Sequence, residues 1–287
     1  MKVASGFDNY RLIATGDGYK LERFGDVILL RPDPQVIWPA PFKMSSYKGL
    51  NAVYHRNSDG GGYWEKLKPV PQEFSIGWNK SLKFSLKLMG FKHTGVFPEQ
   101  AVNWERIIST VKNNGGAKVL NLFGYTGGAS LAVLRGGGQV THVDSAKAMC
   151  ERAGKNIEMS GLPKNCRFIV EDCIKFVERE IRRGNKYDAV IMDPPSFGRG
   201  AGGETWKLEE KIYSLVELTR RIVSDKPLFY LINSYTTGLQ PGAMRNVLLK
   251  AFGSDAFSMV DSDEIGIEGE DGMTLPCGAS CFALFKR

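Results

Sequence analysis

Histidine and cysteine are scarce in this sequence, and long apolar runs are missing. Only three His and five Cys occur in 287 residues. Cys150, Cys166, Cys173, Cys277 and Cys281 are odd in number and scattered, which argues for reduced thiols and against a disulfide framework. Cys277 and Cys281 have CxxxC spacing with no histidine beside them, a poor set for zinc. The acidic stretch Glu268-Gly269-Glu270-Asp271-Gly272 lacks the alternating ligands and final glutamate of a calcium loop. No metal is therefore expected. No apolar run reaches the ~20 residues of a membrane span, so no membrane partner is expected either. The opening residues MKVASGFDNYRL have no hydrophobic core of a secretion signal, and a cytoplasmic location is expected.

What is present is a core-forming chain with excess positive charge. Apolar residues make up 43%, enough for one large domain plus a small one, and the formal net charge of +7 favours a polyanionic partner. Residues 1–72 read as a small β-rich module. Tyr10–Ile13, Tyr19–Phe24 and Val27–Leu30 are strand-like, with turns at Gly16-Asp17-Gly18 and Gly25-Asp26. Pro32, Pro34, Pro39 and Pro41 imply an extended crossing segment, and residues 57–62 a flexible loop. The module either recognises substrate or merely packs. Residues 73–116 form a bridge. In it, Leu82, Phe84, Leu86 and Leu88 alternate with Lys83, Ser85 and Lys87, the period of a hairpin strand whose basic face touches phosphates or is simply solvated. Pro98-Glu99 then starts a helix that runs to about Lys112.

Residues 117–287 carry the nucleotide-type signal. Val119, Leu120 and Leu122 lead into a turn, Phe123-Gly124-Tyr125-Thr126-Gly127-Gly128. A small-residue helix from Ala129 to Leu134, glycines at 136–138 and a strand Val140–Val143 follow, and the strand stops on Asp144. Glycines let a ligand lie against the turn, the helix N-terminus offers N–H groups to an anion, and a terminal carboxylate can accept both ribose hydroxyls. The spacing is not G-x-G-x-x-G, and no Walker lysine follows.

A second signal lies downstream, in Val190-Ile191-Met192-Asp193-Pro194-Pro195-Ser196-Phe197. Two prolines fix φ and hold the Asp193 carboxylate and the Pro194 carbonyl as a rigid acceptor pair, while Phe197 is placed to stack on a planar base. Together with Asn121–Gly128 this resembles the class I S-adenosylmethionine (SAM) methyltransferases, in particular the branch of bacterial ribosomal RNA cytosine-C5 methyltransferases and their uncharacterised relatives. The resemblance covers roughly the last two thirds of the chain. It implies an α/β fold with a Rossmann-like, seven-stranded sheet, SAM as cofactor and RNA as substrate. It also implies cofactor-side roles for Asn121, Phe123, Gly124, Thr126, Gly127, Asp144, Ser145, Asp172, Cys173 and Asp193. Asp172 matches the acid that takes the adenine amine, and it also suits a helix N-cap. Phe91–Gln100 is similar to the branch's Phe-Lys-x-x-Gly-x-Phe-x-x-Gln loop, which makes Phe97 and Gln100 further cofactor-side candidates. Asn156 matches an asparagine that supports the Asp-Pro-Pro loop in the branch; the alternative is a solvent-facing residue.

The chain departs from the branch at its nucleophile. Cytosine-C5 transfer needs a thiolate that adds to C6. After the strand Leu228–Ile232, Tyr235 stands where the branch has cysteine, and a phenol with pKa ~10 does not replace it. Adenine-N6 enzymes have an aromatic directly after Asp/Asn-Pro-Pro, whereas Ser196 intervenes here. Transfer to nitrogen or oxygen stays open, with Asp193 or Tyr235 as base or positioning group. Asp193, Pro194, Pro195, Phe197 and Tyr235 are the catalytic candidates. The stretch Gly198–Trp206 reads as a substrate-side lid with Arg199 and Trp206; otherwise Trp206 starts a helix over 206–223 and packs in the core. A helix over 241–251 and strands at 258–265 and 280–285 close the sheet. Three readings follow: a SAM-dependent methyltransferase of RNA, one of a small molecule or protein, and a SAM-binding module without turnover.

Overall fold

The computed structural model describes residues 1–57, 61–199 and 205–286. Eight strands form the central sheet, in the order β1-β16-β17-β15-β12-β9-β10-β11. Their ranges are β1 (Lys2–Ala4), β9 (Lys118–Leu122), β10 (Gln139–Asp144), β11 (Cys166–Val170), β12 (Ala189–Met192), β15 (Phe229–Ser234), β16 (Phe257–Glu268) and β17 (Thr274–Phe285). The strands β9 to β12 and β15 run parallel, and β17 is antiparallel to both β15 and β16. These are the seven expected strands. The eighth, β1, comes from the N-terminal residues and pairs in parallel with β16. It is only three residues long, too short to show a period.

The central strands read as unbroken apolar runs because both faces of the sheet are covered. Val119, Ile191 and Leu231 pack on one face with α1 (Ala101–Asn113) and α2 (Gly128–Arg135). Leu120, Leu122, Val190 and Met192 pack on the other with α4 (Cys173–Arg182), α5 (Leu208–Arg220) and α6 (Pro241–Phe252). The chain goes from β9 outward through β10 to β11, then returns to β12 on the other side of β9. That reversal opens a crevice at the C-terminal ends of β9 and β12.

The N-terminal module is a five-stranded sheet, β2 (Tyr10–Gly16), β3 (Tyr19–Phe24), β4 (Val27–Pro32), β5 (Ala52–Arg56) and β6 (Gly62–Lys66), in that order. The first three match the sequence reading. The last two were not anticipated, since β6 is a mostly exposed edge strand without an apolar face. Gly62 begins β6, so the expected 57–62 loop is shorter at that end; residues 58–60 lie outside the described residues. The hairpin β7 (Phe74–Trp78) and β8 (Leu82–Leu86) bridges module and core, with β8 against α3 (Lys147–Met159). Thr205–Lys207 is a strand, β14, paired with β13 (Phe197–Arg199), so the helix begins at Leu208 and not at Trp206. No helix among the described residues is long and apolar enough to cross a membrane.

A buried charge pair anchors the module. Glu22 is wholly buried and Arg31 nearly so. Arg31 grips the carboxylate through Nε at 2.7 Å and its second terminal nitrogen at 2.8 Å, and Tyr10 donates to it at 2.9 Å. The remaining Arg31 nitrogen donates to the Lys92 carbonyl at 3.0 Å, which ties the module to the bridge. Removing one member of such a pair strands the other charge. Glu22→Ala should lose about 3–5 kcal/mol of stability, read as a shifted denaturant midpoint.

Candidate functional site

The site is built on a turn held in an uncommon conformation. Phe123 and Tyr125 are left-handed, at φ 56° and 50°, and Gly127 follows at 89°. For residues with side chains this conformation is strained, so the surroundings must impose it. Tyr125 N–H donates to Asp144 Oδ2 and Ala146 N–H to Asp144 Oδ1, both at 2.8 Å. Phe123 N–H donates to Cys173 Sγ at 3.3 Å. Thr126 Oγ1 donates to the Gly95 carbonyl at 2.6 Å. Asn156, wholly buried on α3, donates to the Thr126 carbonyl at 2.9 Å and accepts from Ser85 N–H at 2.8 Å. Asn156 therefore supports the glycine turn and the hairpin. It does not hold the Asp-Pro-Pro turn as expected, nor does it face solvent.

Gly124 is needed because the chain passes against His142. A Cβ there would lie 2.4 Å from the imidazole. His142 is buried in β10 and shares a hydrogen-bonded row with Ser130 and Asn121, each step 2.9 Å. Burial drives its pKa down to about 4, so it stays neutral and packs as a core ring.

Asn121, Phe123, Gly124, Thr126, Phe97, Gln100 and Asp193 line one pocket at the crevice. Seven of the residues singled out in the sequence are thus brought together. Phe97 packs between Tyr125 and Tyr235, with ring centroids at 5.4 and 5.3 Å. Gln100 Nε2 donates to the Tyr235 hydroxyl at 2.9 Å, and Gln100 Oε1 accepts from Asn103, which also donates to Asn233. Tyr235 is thereby fixed beside the pocket. Burial, with Glu99 and Asp193 nearby, pushes its phenol well above the ordinary range, so it stays protonated. Asp193 is half-buried, and burial together with the Glu99 charge lifts its pKa to about 7. Glu99 itself is buried and raised by that burial.

The other candidates surround this pocket. Gly127 caps α2 at its N-terminus, and Ser145 is exposed just after Asp144. Asp172 is the N-cap of α4, accepting from Lys175 N–H at 3.0 Å. Cys173 is buried, and burial raises its thiol pKa strongly. Pro194 is buried; the Pro195 carbonyl accepts from Trp206 Nε1 at 2.7 Å. Phe197 is 59% exposed on β13 and does not line the pocket. The indole that lines the pocket is Trp104; Trp206 lies outside it, its ring 6.0 Å from Phe123. Thr236 Oγ1 donates to Ser196 Oγ at 2.8 Å and ties the segment after β15 to the Asp-Pro-Pro turn. Of the proposed lid, residues 200–204 lie outside the described residues, as does the Arg199 side chain.

Sequence reasoning missed Glu99, Trp104, His142 and Asn103. Trp104 could have been found, since it shares an apolar helical face with Ile107 and Val111. Glu99 could not, because its burial depends on packing by distant strands.

The donor set fits SAM. A carboxylate ends β10 for the ribose, α2 opens with free N–H groups for a carboxylate, and the turn's backbone is bare at Gly124. Asp144→Ala removes the acceptor for the Tyr125 amide of the turn and for the Ala146 amide that starts α3. It should weaken SAM binding by about 10- to 100-fold, measured by calorimetry.

Comparison with known proteins agrees with this geometry. The model of the S-adenosylmethionine-dependent methyltransferase family matches residues 32–240. The ribosomal RNA large subunit methyltransferase I of Photobacterium profundum is 36% identical over 129 residues, 44% of this chain and 32% of that protein. Its namesake from Klebsiella pneumoniae is 29% identical over 210 residues, 67% of this chain and 52% of that protein. The chain thus spans only about a third to a half of these curated relatives. A SAM-dependent methyltransferase from Agrobacterium tumefaciens has a solved structure that superposes with a TM-score of 0.87 at 33% identity, covering 100% of this chain and 92% of that one. With most of its length matched by the family model, the chain belongs to the S-adenosylmethionine-dependent methyltransferase family.

Proposed function

We propose that the protein methylates a nucleobase of structured RNA, with large-subunit ribosomal RNA as the first candidate. The observation that carries methyl transfer is the Asp193 carboxylate lining the same pocket as the glycine turn. RNA is supported by the names of the relatives and by the net charge of +7. In this reading residues 117–287 are the catalytic core, 73–116 the bridge and 1–72 a recognition module.

SAM supplies an electrophilic methyl group on a sulfonium. When it is bound, Asp144 and Ser145 would hold its ribose, Asp172 and Cys173 its adenine, and Asn121, Gly124, Thr126 and Gly127 the remainder of the molecule. Phe97 and Gln100 close the pocket from the other side. Pro194 and Pro195 stiffen the turn that aims Asp193 at the acceptor. Phe197, on the exposed side of the turn, meets an RNA base approaching from solvent.

The acceptor atom is nitrogen or oxygen, not cytosine C5. C5 chemistry requires a thiolate, and burial raises all five thiols: Cys150, Cys166, Cys173, Cys277 and Cys281. Tyr235 stands where the branch places its nucleophile, and its phenol is held protonated. As an N–H acceptor takes the methyl group, its proton passes to Asp193, whose pKa of about 7 suits that task.

Asp193 acts as base only when ionised. kcat/KM should therefore rise with pH through about 7 and level off above it. Asp193→Asn should remove that rise and lower the rate by about 10²–10⁴-fold. Initial rates across the neutral range check both.

The function itself is tested with tritium-labelled SAM and the purified protein, using total RNA, protein extract and small-molecule extract from cells lacking the gene. Label is expected in RNA, on nitrogen or oxygen by nucleoside analysis. Label confined to protein or small molecules would replace RNA as the substrate. Label on cytosine C5 would overturn the argument from the thiols. SAM binding with no transfer to any fraction would favour a module without turnover.

A further inference from the structure

The pocket contains a buried donor with nothing to donate to. Of the five indoles in the chain, four are paired through Nε1. Trp38 donates to Thr15 Oγ1 at 3.1 Å, Trp64 to the Met89 carbonyl at 2.8 Å, Trp78 to the Ser5 carbonyl at 2.7 Å and Trp206 to the Pro195 carbonyl at 2.7 Å. Trp104 Nε1 has no acceptor among the described residues, although Trp104 is only 2% exposed. The atom is not sealed in the core as His142 Nε2 is; it reaches the space of the pocket that Trp104 lines. Buried indole N–H groups are normally paired, so a bare one beside a pocket marks where a ligand brings the acceptor.

The ring cannot turn away to find another partner. It stacks on Phe84 of β8 with centroids 4.8 Å apart and 26° between the planes, and Trp78 and Phe7 pack edge-on against it at 5.7 and 6.3 Å. Its nitrogen lies against the first residue of α2, where a Cβ on Gly128 would come within 2.9 Å of it. Glycine keeps that approach open. The first bond of α2 runs from Leu131 N–H to the Gly127 carbonyl at 2.8 Å, and no side chain caps the helix. The amides of Gly128, Ala129 and Ser130 therefore lack partners within the helix. The indole and the helix start present their donors at one corner of the pocket.

The chemistry of SAM leaves one group for that corner. An indole only donates, and the ammonium and sulfonium of SAM are cations that accept nothing. The ribose and the adenine are taken up at Asp144 and Asp172, which follow on β10 and β11. The carboxylate remains, and it is also the group that a helix N-terminus favours. No lysine, arginine or histidine lines the pocket among the described residues, so its recognition falls to neutral donors.

We propose that Trp104 Nε1 donates to the carboxylate of SAM at the N-terminus of α2, and that this bond sets the preference for a cofactor that carries the carboxylate. The proposal rests on SAM as cofactor and not on RNA as substrate.

Calorimetry on the full chain tests it with SAM and with decarboxylated SAM, which keeps the adenosine, sulfonium and ammonium. Trp104→Phe retains an aromatic ring against Phe84 and removes the N–H. It should weaken SAM by about 10- to 100-fold and leave decarboxylated SAM within about twofold of the unaltered chain, which also reports an intact pocket. Site-specific replacement of Trp104 by 3-benzothienylalanine keeps the indole shape with sulfur in place of N–H. The same split between the two ligands is expected there, free of any change in volume. If that isostere binds SAM undiminished, or weakens both ligands equally, the indole is a packing group and the proposal is overturned. If the unaltered chain binds neither ligand, SAM itself is the wrong cofactor and the proposal falls with it.

Discussion

The site depends on keeping Phe123 and Tyr125 in a left-handed turn that neither residue would adopt alone. Each costs of order 1–3 kcal/mol. The offset comes from hydrogen bonds reaching the turn from four directions: Asp144 on β10, Cys173 on α4, Gly95 before α1 and Asn156 on α3. Asn156 is the most exacting of these. Its amide is buried, so each polar atom must be paired, and each is paired to a different element. Asn156 thus links the hairpin β7–β8, helix α3 and the glycine turn, and Arg152 and Ser160 add further bonds from α3 and its end to the hairpin.

Charge is arranged with the same economy. The pocket region holds a half-buried acid near neutrality, a protonated phenol and a buried glutamate, and the glutamate charge raises both of the others. Behind them the Glu22–Arg31 pair fixes the N-terminal sheet, and Arg31 reaches the Lys92 carbonyl on the loop that ends in Phe97 and Gln100. The module and the loop beside the pocket are thus joined through polar contacts. A substrate held by the module would meet Asp193 in a defined frame.

Much of this was legible in the sequence, for reasons that are local. Apolar runs such as Val119–Leu122 and Leu228–Ile232, glycines at tight turns, and Asp144 and Asp193 at strand ends each carry their structural meaning within a few residues. What escaped reading depends on distant partners. The strand β1 is too short to show a period, and β6 lacks an apolar face. Trp206 reads as part of a lid loop or as a helix start, and only the pairing of β13 with β14 puts it on a strand, its indole bonded to the Pro195 carbonyl. Phe197 follows the Asp-Pro-Pro turn in sequence but turns outward once β13 pairs with β14. From the sequence Asn156 reads as a support of the Asp-Pro-Pro turn or as a surface amide, and its actual partners come only from the hairpin packed on α3 and the turn beside it.

The pairing of β1 with β16 bears on how the chain is made. Lys2, Val3 and Ala4 lie beside Ile265, Gly266 and Ile267, and the Lys2 ammonium meets Asp261. Segments far apart in the chain thus lie side by side at this edge of the sheet. The five-stranded module can collapse early, because its contacts are close in sequence, but the sheet edge stays open throughout synthesis. Until β16 is made, Lys2–Ala4 has no strand to pair with, and the nascent protein carries an unclosed seam that a chaperone would have reason to cover.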